Sequence, residues 1–157
     1  MLIWINHTKN YPLCSAHLPG KDLNYTNIVT SFLKNDDEIL ILKRSDKVKS
    51  MKNLWAGISG IIEKGDLSPL SRAEIEIFEE TGIKLEQISL LKKSQQMKII
   101  SAQYKNHVWN IFPFLFKVEN PEIKLNWENS EFEWINPSNI VNYKTVPSLD
   151  KILFNLL

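Results

Sequence analysis

Cysteine is almost absent. Cys14 is the only one in 157 residues, which excludes an internal disulfide and suits a reducing cytoplasm. Long apolar runs are missing too: stretches such as Ile111–Phe116 fall far short of the roughly 20 residues a membrane helix needs. The opening Met1-Leu2-Ile3-Trp4-Ile5 has no basic lead, so no secretory signal is expected. Neither sign of charge dominates. Nineteen basic against eighteen acidic residues leave a net charge of +1, which argues against a polyelectrolyte partner such as duplex DNA. No repeat, low-complexity tract or linker divides the chain. Hydrophobic residues at 43% and charged residues at 24% are globular averages and exclude a disordered or fibrous chain. At this length a chain buries roughly 70% of its unfolded surface, enough for a core without staples. One domain over 1–157 is the expectation. Residues 1–24, polar and turn-rich, form an N-terminal extension, read as an extra strand and loop laid against it.

From Asn27 the pattern sharpens. Ile28–Leu33 and Glu38–Leu42 are β-branched and apolar runs flanking Asn35-Asp36-Asp37, which predicts a hairpin. Ser68-Pro69 reads as an N-cap followed by proline at the first helical position, and Gly82 as the stop, giving a helix over Pro69–Thr81. Strands are predicted over Ile88–Lys92 and Met97–Gln103, then a turn at Lys105-Asn106 and a long strand His107–Val118. In that strand Phe112, Phe114 and Phe116 alternate with Ile111 and Leu115, so both faces should be covered. Pro113 within it predicts a bulge or an edge position. A short strand Phe132–Ile135, a helical turn Pro137–Val141 and a closing helix Leu149–Leu157 complete the reading. Strands on both sides of a central helix predict an α+β sandwich with a mixed sheet.

Glycine is scarce, with five in the chain, yet Gly57, Gly60, Gly65 and Gly82 fall within one short segment, where backbone must turn or approach something closely. At 100° per residue, Glu76, Glu79 and Glu80 project from one side of the helix that follows. Like charges at these spacings each cost about 0.2–0.5 kcal/mol in an isolated helix. A solvated acidic face is the plain explanation. Glu63 and Asp66 just before the helix favour another: five acids that converge are hard to keep ionised unless a divalent cation offsets them.

These residues resemble the Nudix hydrolases, whose box is written G-x5-E-x7-R-E-U-x-E-E-x-G-U with U aliphatic. Gly60 and Asp66 have the first spacing, and Glu76-Ile77-Phe78-Glu79-Glu80-Thr81-Gly82-Ile83 follows the second half in order. Three departures stand out. Asp66 replaces a glutamate, the interval before the helix is one residue longer, and Ile75 occupies the position of the box arginine. In the family that arginine orients the catalytic glutamates. The chain has two arginines, Arg44 and Arg72, and Arg72 lies four residues before Glu76 on the same face. It is the candidate to take over the orienting role; an exposed arginine in a weak i,i+4 pair is the alternative.

The resemblance implies a Nudix-type α/β/α sandwich and hydrolysis of a nucleoside diphosphate linked to another moiety. It implies Mg²⁺ or Mn²⁺ held by Glu76, Glu79 and Glu80, helped by Asp66 and a backbone carbonyl near Ser59. A general base is still required. The stretch Leu125-Asn-Trp127-Glu128-Asn-Ser-Glu131-Phe132-Glu133-Trp134 looks like that of diadenosine tetraphosphate hydrolases of the same superfamily, where a glutamate stands six residues before a tryptophan. Glu128 fits that spacing, with Glu131 as runner-up. Arg44, Trp55, Glu63 and Phe132 are the candidates for substrate contact. Dinucleoside polyphosphates or nucleoside triphosphates are favoured over nucleotide sugars, and a homodimer is compatible with the family. His7, His17 and His107 are too dispersed for a metal site, and Cys14-x-x-His17 lacks a second pair, so zinc is not expected. A Nudix-fold protein that binds nucleotide without cleaving it is the competing function. An isopentenyl diphosphate isomerase would need a cysteine before the helix, and none lies between Trp55 and Gly65. An mRNA-decapping role would want a basic tract that is not visible.

Overall fold

The computed structural model describes residues 22–157. The strand and loop expected in the N-terminal extension, with His7, Cys14 and His17, lie outside the described residues.

Two long strands form the axis of the fold. β1 (Asn24–Asn35) and β7 (His107–Val118) run parallel in register from Asn24↔His107 to Lys34↔Lys117. β2 (Glu38–Arg44) returns from β1 through the expected hairpin, with Asp36 in the left-handed conformation, but pairs with β1 only at Lys34↔Ile39 and Asn35↔Glu38. Beyond that point β1 pairs with β4 (Ile58–Ile61), while β2 turns away to β3 (Trp55–Ala56) and β8 (Asn129–Ile135). On the far side β7 is flanked by β5 (Ile88–Lys93) and β6 (Met97–Ile100), both antiparallel. The sheet is therefore mixed.

Alternation along the strands divides the core in two. Phe32, Ile39, Ile41, Ile111 and Leu115 face α2 (Leu149–Phe154) and the 3-10 turn Pro137–Asn142. Val29, Leu33, Leu40, Leu42, Phe114 and Phe116 face α1 (Pro69–Thr81) through Ala73 and Ile77. Each face buries apolar area worth about 25 cal/mol per Å², and this yields the α/β/α layers the sequence implied. No helix of the described residues is long and apolar enough to cross a membrane.

Several expectations are corrected. Pro113 lies in an interior strand, neither at an edge nor in a bulge. β5 pairs with β7 as far as Phe114 and β6 begins at Ile111, so Pro113 falls in the gap between them, where its missing N–H costs no ladder bond. The glycine-rich segment, for which no strand is predicted, contributes β3 and β4. β6 ends at Ile100 instead of Gln103, and α2 ends at Phe154 instead of Leu157, while β8 begins earlier, at Asn129.

Candidate active site

Helix α1 starts where Ser68 and Ser71 cap each other reciprocally, Ser71 N–H to Ser68 Oγ and Ser68 N–H to Ser71 Oγ, both at 3.0 Å. It ends where Gly82, at φ 74°, closes the last turn onto the Phe78 carbonyl; only glycine takes that conformation without strain. Between these caps the usual polarity is partly inverted. Glu76 and Glu80 are buried, while Ile75 and Phe78 are 41% and 53% exposed. Glutamate is almost never buried without a partner, and departures of this kind cluster at functional sites.

Gly60 on β4 makes room for Glu76. A Cβ at Gly60 would lie 1.9 Å from Glu76 Oε1, so the carboxylate rests against backbone that no side chain can cover. Glu80 goes deeper. Its Oε1 accepts from Ser59 N–H at 3.0 Å and its Oε2 from Asn129 Nδ2 at 2.8 Å. Ser59 thus reaches the site through its amide, with its hydroxyl 3.1 Å from Thr30 Oγ1. Burial lifts the Glu76 carboxyl to about 7, assisted by the charges of Glu79 and Glu128 and opposed by Arg72. Burial likewise lifts Glu80 to about 8, against the stabilising Asn129 and Ser59 bonds.

Arg72 is the hub of the acidic segment. Its Nε and one terminal nitrogen donate to the two oxygens of Asp66 at 2.8 and 2.7 Å, and the other terminal nitrogen donates to Glu76 Oε1 at 3.4 Å. Glu63 stands 3.7 Å away as an outer partner. Asp66 Oδ2 also accepts from Glu63 N–H at 2.7 Å. The Arg72 bond holds the Asp66 carboxyl below the usual range, and the guanidinium is raised in turn by Asp66. Ile75, at the position of the box arginine, lies on the cavity wall. The longer interval before the helix and the displaced arginine thus meet in one two-point fork, a geometry suited to Arg and a carboxylate.

A cavity of about 690 Å³ opens beside this segment, with Glu63, Arg72, Glu76, Glu79 and Glu128 at its acidic end. Arg44 lines it as well, braced by Nε and Nη bonds of 3.2 and 3.1 Å to the Ser50 carbonyl. Much of the remaining lining is apolar: Ile28, Ile99, Trp109, Ile111, Val146 and Ile152. A concave site with an apolar wall and a few convergent charges has the form of a small-molecule pocket.

Not every predicted residue is brought together. Trp55, a candidate for substrate contact with a core position as the alternative, is buried in the core edge-on to Tyr143, with ring centroids 5.4 Å apart. Phe132 lies half-exposed on β8 and is not part of the cavity wall. Glu131 is bound to Lys43 at 2.8 Å, also away from the wall. Asp66, expected as a metal ligand, turns both oxygens to Arg72. Asn129 was missed, and so was the whole apolar wall. The position of Asn129 next to Glu128 was its only sequence signal, and the wall, drawn from distant segments, had none.

Among the described residues no three His, Cys, Asp or Glu side chains are already gathered closely enough to hold a metal ion. The donor set nevertheless fits one in its chemistry. Glu76 is cradled by a glycine, and its charge and that of Glu79 repel each other, which a divalent cation would relieve.

Sheet order, layers and an acidic helix fed by a glycine-containing strand define the class as an α/β/α hydrolase of the Nudix type. The NUDIX domain matches residues 24–156, so the chain belongs to the Nudix family and is a Nudix pyrophosphohydrolase, acting on pyrophosphate bonds in nucleoside diphosphate derivatives. No curated protein matches the chain. Among solved structures, the MutT protein from Methanosarcina mazei Go1 superposes with a TM-score of 0.67 at 20% identity, covering 85% of this chain and 93% of that one. A C. elegans Ap4A hydrolase gives 0.65 at 18% identity, covering 83% and 93%. A bifunctional NMN adenylyltransferase/ADP ribose pyrophosphatase from Francisella tularensis, complexed with AMP and a manganese ion, gives 0.64 at 24% identity, covering 85% and 41%. Similarity at these identities concerns the fold.

Proposed function

We propose that the chain hydrolyses a pyrophosphate bond in a nucleoside triphosphate or dinucleoside polyphosphate, and that it requires Mg²⁺ or Mn²⁺. The observation that carries this reading is the convergence of Glu76, Glu79, Glu128, Arg72 and Arg44 on one cavity that also has an apolar wall. Glu76 and Glu79 would hold the metal from the cavity; Glu80, with both oxygens hydrogen-bonded, would reach it only by giving up one of those bonds. Asp66 would serve by anchoring Arg72, with direct ligation a lesser role. When bound, the cation would neutralise the diphosphate and acidify an attacking water. Arg72 orients Glu76 through the fork it makes with Asp66, replacing the arginine that Ile75 displaces. Glu128 accepts a proton from the attacking water as general base. Arg44, held by the Ser50 carbonyl, directs its remaining donors toward a phosphate, and the apolar wall receives the base. A nucleotide-type small molecule is the only partner this requires. With a single cysteine, the cytoplasm is the compartment in which we place it.

The test is a panel of ATP, diadenosine tetraphosphate and ADP-ribose, each with Mg²⁺, Mn²⁺ and EDTA, measuring phosphate and pyrophosphate release. Glu79→Gln runs beside the wild type. Turnover that vanishes in EDTA and falls steeply in the variant is expected. Nucleotide binding without any turnover would refute the reading.

A further inference from the structure

We propose that Asn129 is a positioning residue. It ties the buried glutamate of α1 to the segment that carries Glu128, and so sets where the Glu128 carboxylate stands at the cavity. This rests on the reading of Glu128 as the base.

Asn129 is buried at the first position of β8, and its side-chain amide reaches across to Glu80 at 2.8 Å. Glu80 is gripped on its other oxygen by Ser59 N–H of β4. The amide therefore joins three elements, β4, α1 and β8, at one buried carboxyl group, whose polar atoms would be costly to leave without partners. Glu128, the next residue upstream, is held chiefly through its backbone: Ser45 N–H donates to its carbonyl at 2.7 Å, and its own N–H donates to Asn126 Oδ1 at 3.0 Å, while its carboxylate accepts one long bond, 3.5 Å, from Asn126 Nδ2. Pairing of β2 with β8 slips at this place, from Lys43↔Glu131 to Arg44↔Asn129. Two residues of β8 thus stand against one of β2. Bulges of this sort re-aim side chains beside active sites. Side chains of successive residues in extended backbone part, here Asn129 toward the helix and Glu128 to the cavity wall. Asn129 is adjacent to the proposed base at the point where the register breaks.

A double-mutant cycle on turnover tests the link. Asn129→Ala, Glu128→Gln and the double variant are assayed with Mg²⁺ and diadenosine tetraphosphate, and with ATP, at saturating substrate. Asn129→Ala is expected to lower kcat by about 10²-fold, the usual effect of misplacing a catalytic group by about 1 Å, with KM changed less than about threefold. The double variant is expected to be no slower than Glu128→Gln alone. Hydrogen exchange at the Ser45 amide of metal-free Asn129→Ala should be faster than in the wild type. If Asn129→Ala does not fold, Asn129→Ser replaces it in the same cycle. Penalties that multiply in the double variant, or unchanged kcat in the Asn129 variant, overturn the proposal and leave the base assignment standing. Full activity in Glu128→Gln sinks the base assignment itself, and this proposal with it.

Discussion

Placing a methyl group at Gly60 would put it 1.9 Å from Glu76 Oε1, 2.0 Å from Cδ and 2.4 Å from Cγ. Ordinary contact begins at 3.4 Å, so the carboxylate must retreat by about 1.5 Å. The backbone need not move. Gly82 is the only glycine among the described residues with positive φ, and Gly60 sits in regular pairing opposite Val29, a conformation alanine adopts freely. What yields is the far end of a flexible side chain, at an off-rotamer cost of about 0.5–1.5 kcal/mol. For a domain of this size that lowers Tm by about 1–6 °C. Activity should suffer far more, because Glu76 would leave Arg72 and the cavity, and a misplacement of about 1 Å costs roughly 10²-fold. Gly60→Ala is therefore expected to melt cooperatively near the wild-type temperature while kcat falls at least about a hundredfold, measured by pyrophosphate release with saturating Mg²⁺. Gly65→Ala is the control, since a Cβ there meets nothing within 4 Å. Retained kcat in Gly60→Ala would refute the argument that this glycine exists to admit Glu76. An unfolded product would show that the strand gives way before the side chain does.

The remaining expectations concern charge and packing. Glu76 and Glu80 titrate near 7 and 8, above their ordinary 4.5, so the native state holds more protons than the unfolded one between about pH 4.5 and 8. Stability of the metal-free protein must then fall as pH rises through that window, and thermal melts in EDTA should give a higher Tm at pH 5 than at pH 8.5. Added Mn²⁺ should raise Tm more at pH 8.5, where metal need not displace protons. Arg72→Ala should lower kcat about 10²-fold, and Arg72→Lys should not restore it, since an ammonium cannot span both Asp66 oxygens; full rescue by lysine would show that charge alone suffices. Glu131→Gln should leave kcat near wild type, whereas Glu128→Gln should not, and the opposite ranking would reverse the assignment. Trp55→Ala should cost about 3–5 kcal/mol in denaturant unfolding with KM unchanged, as befits a core residue; a raised KM would return it to the substrate.

Much of the fold was legible because its signals are local. The Ser68 cap, Pro69 and the Gly82 stop define α1 within the chain, and the alternation of Phe112, Phe114 and Phe116 with Ile111 and Leu115 gives a strand covered on both faces. Where tertiary pairing decides, the reading failed. β3 and β4 are short, and β4 becomes a strand because β1 lies beside it. Pro113 is tolerated because two other strands happen to leave a gap opposite it. In the site, the acids were visible through their spacing on one helix. Arg72 was visible through its i,i+4 relation to Glu76, although its grip on Asp66 depends on how the preceding turn folds. Trp55 stayed open between core and substrate because aromatic side chains serve both, and only burial separates the two uses. Asn129 stayed hidden because its partner is far away in the chain.

The fork between Asp66 and Arg72 also bears on what a signature is. Supply of the cation has been rerouted by about one helical turn, and an additional residue in the connecting turn takes up the slack, while the acids it serves keep their places. A search that demands fixed letters at fixed intervals would pass over this wiring. One that asks for a guanidinium within reach of both the turn acid and the first submerged acid would find it, whatever the spelling.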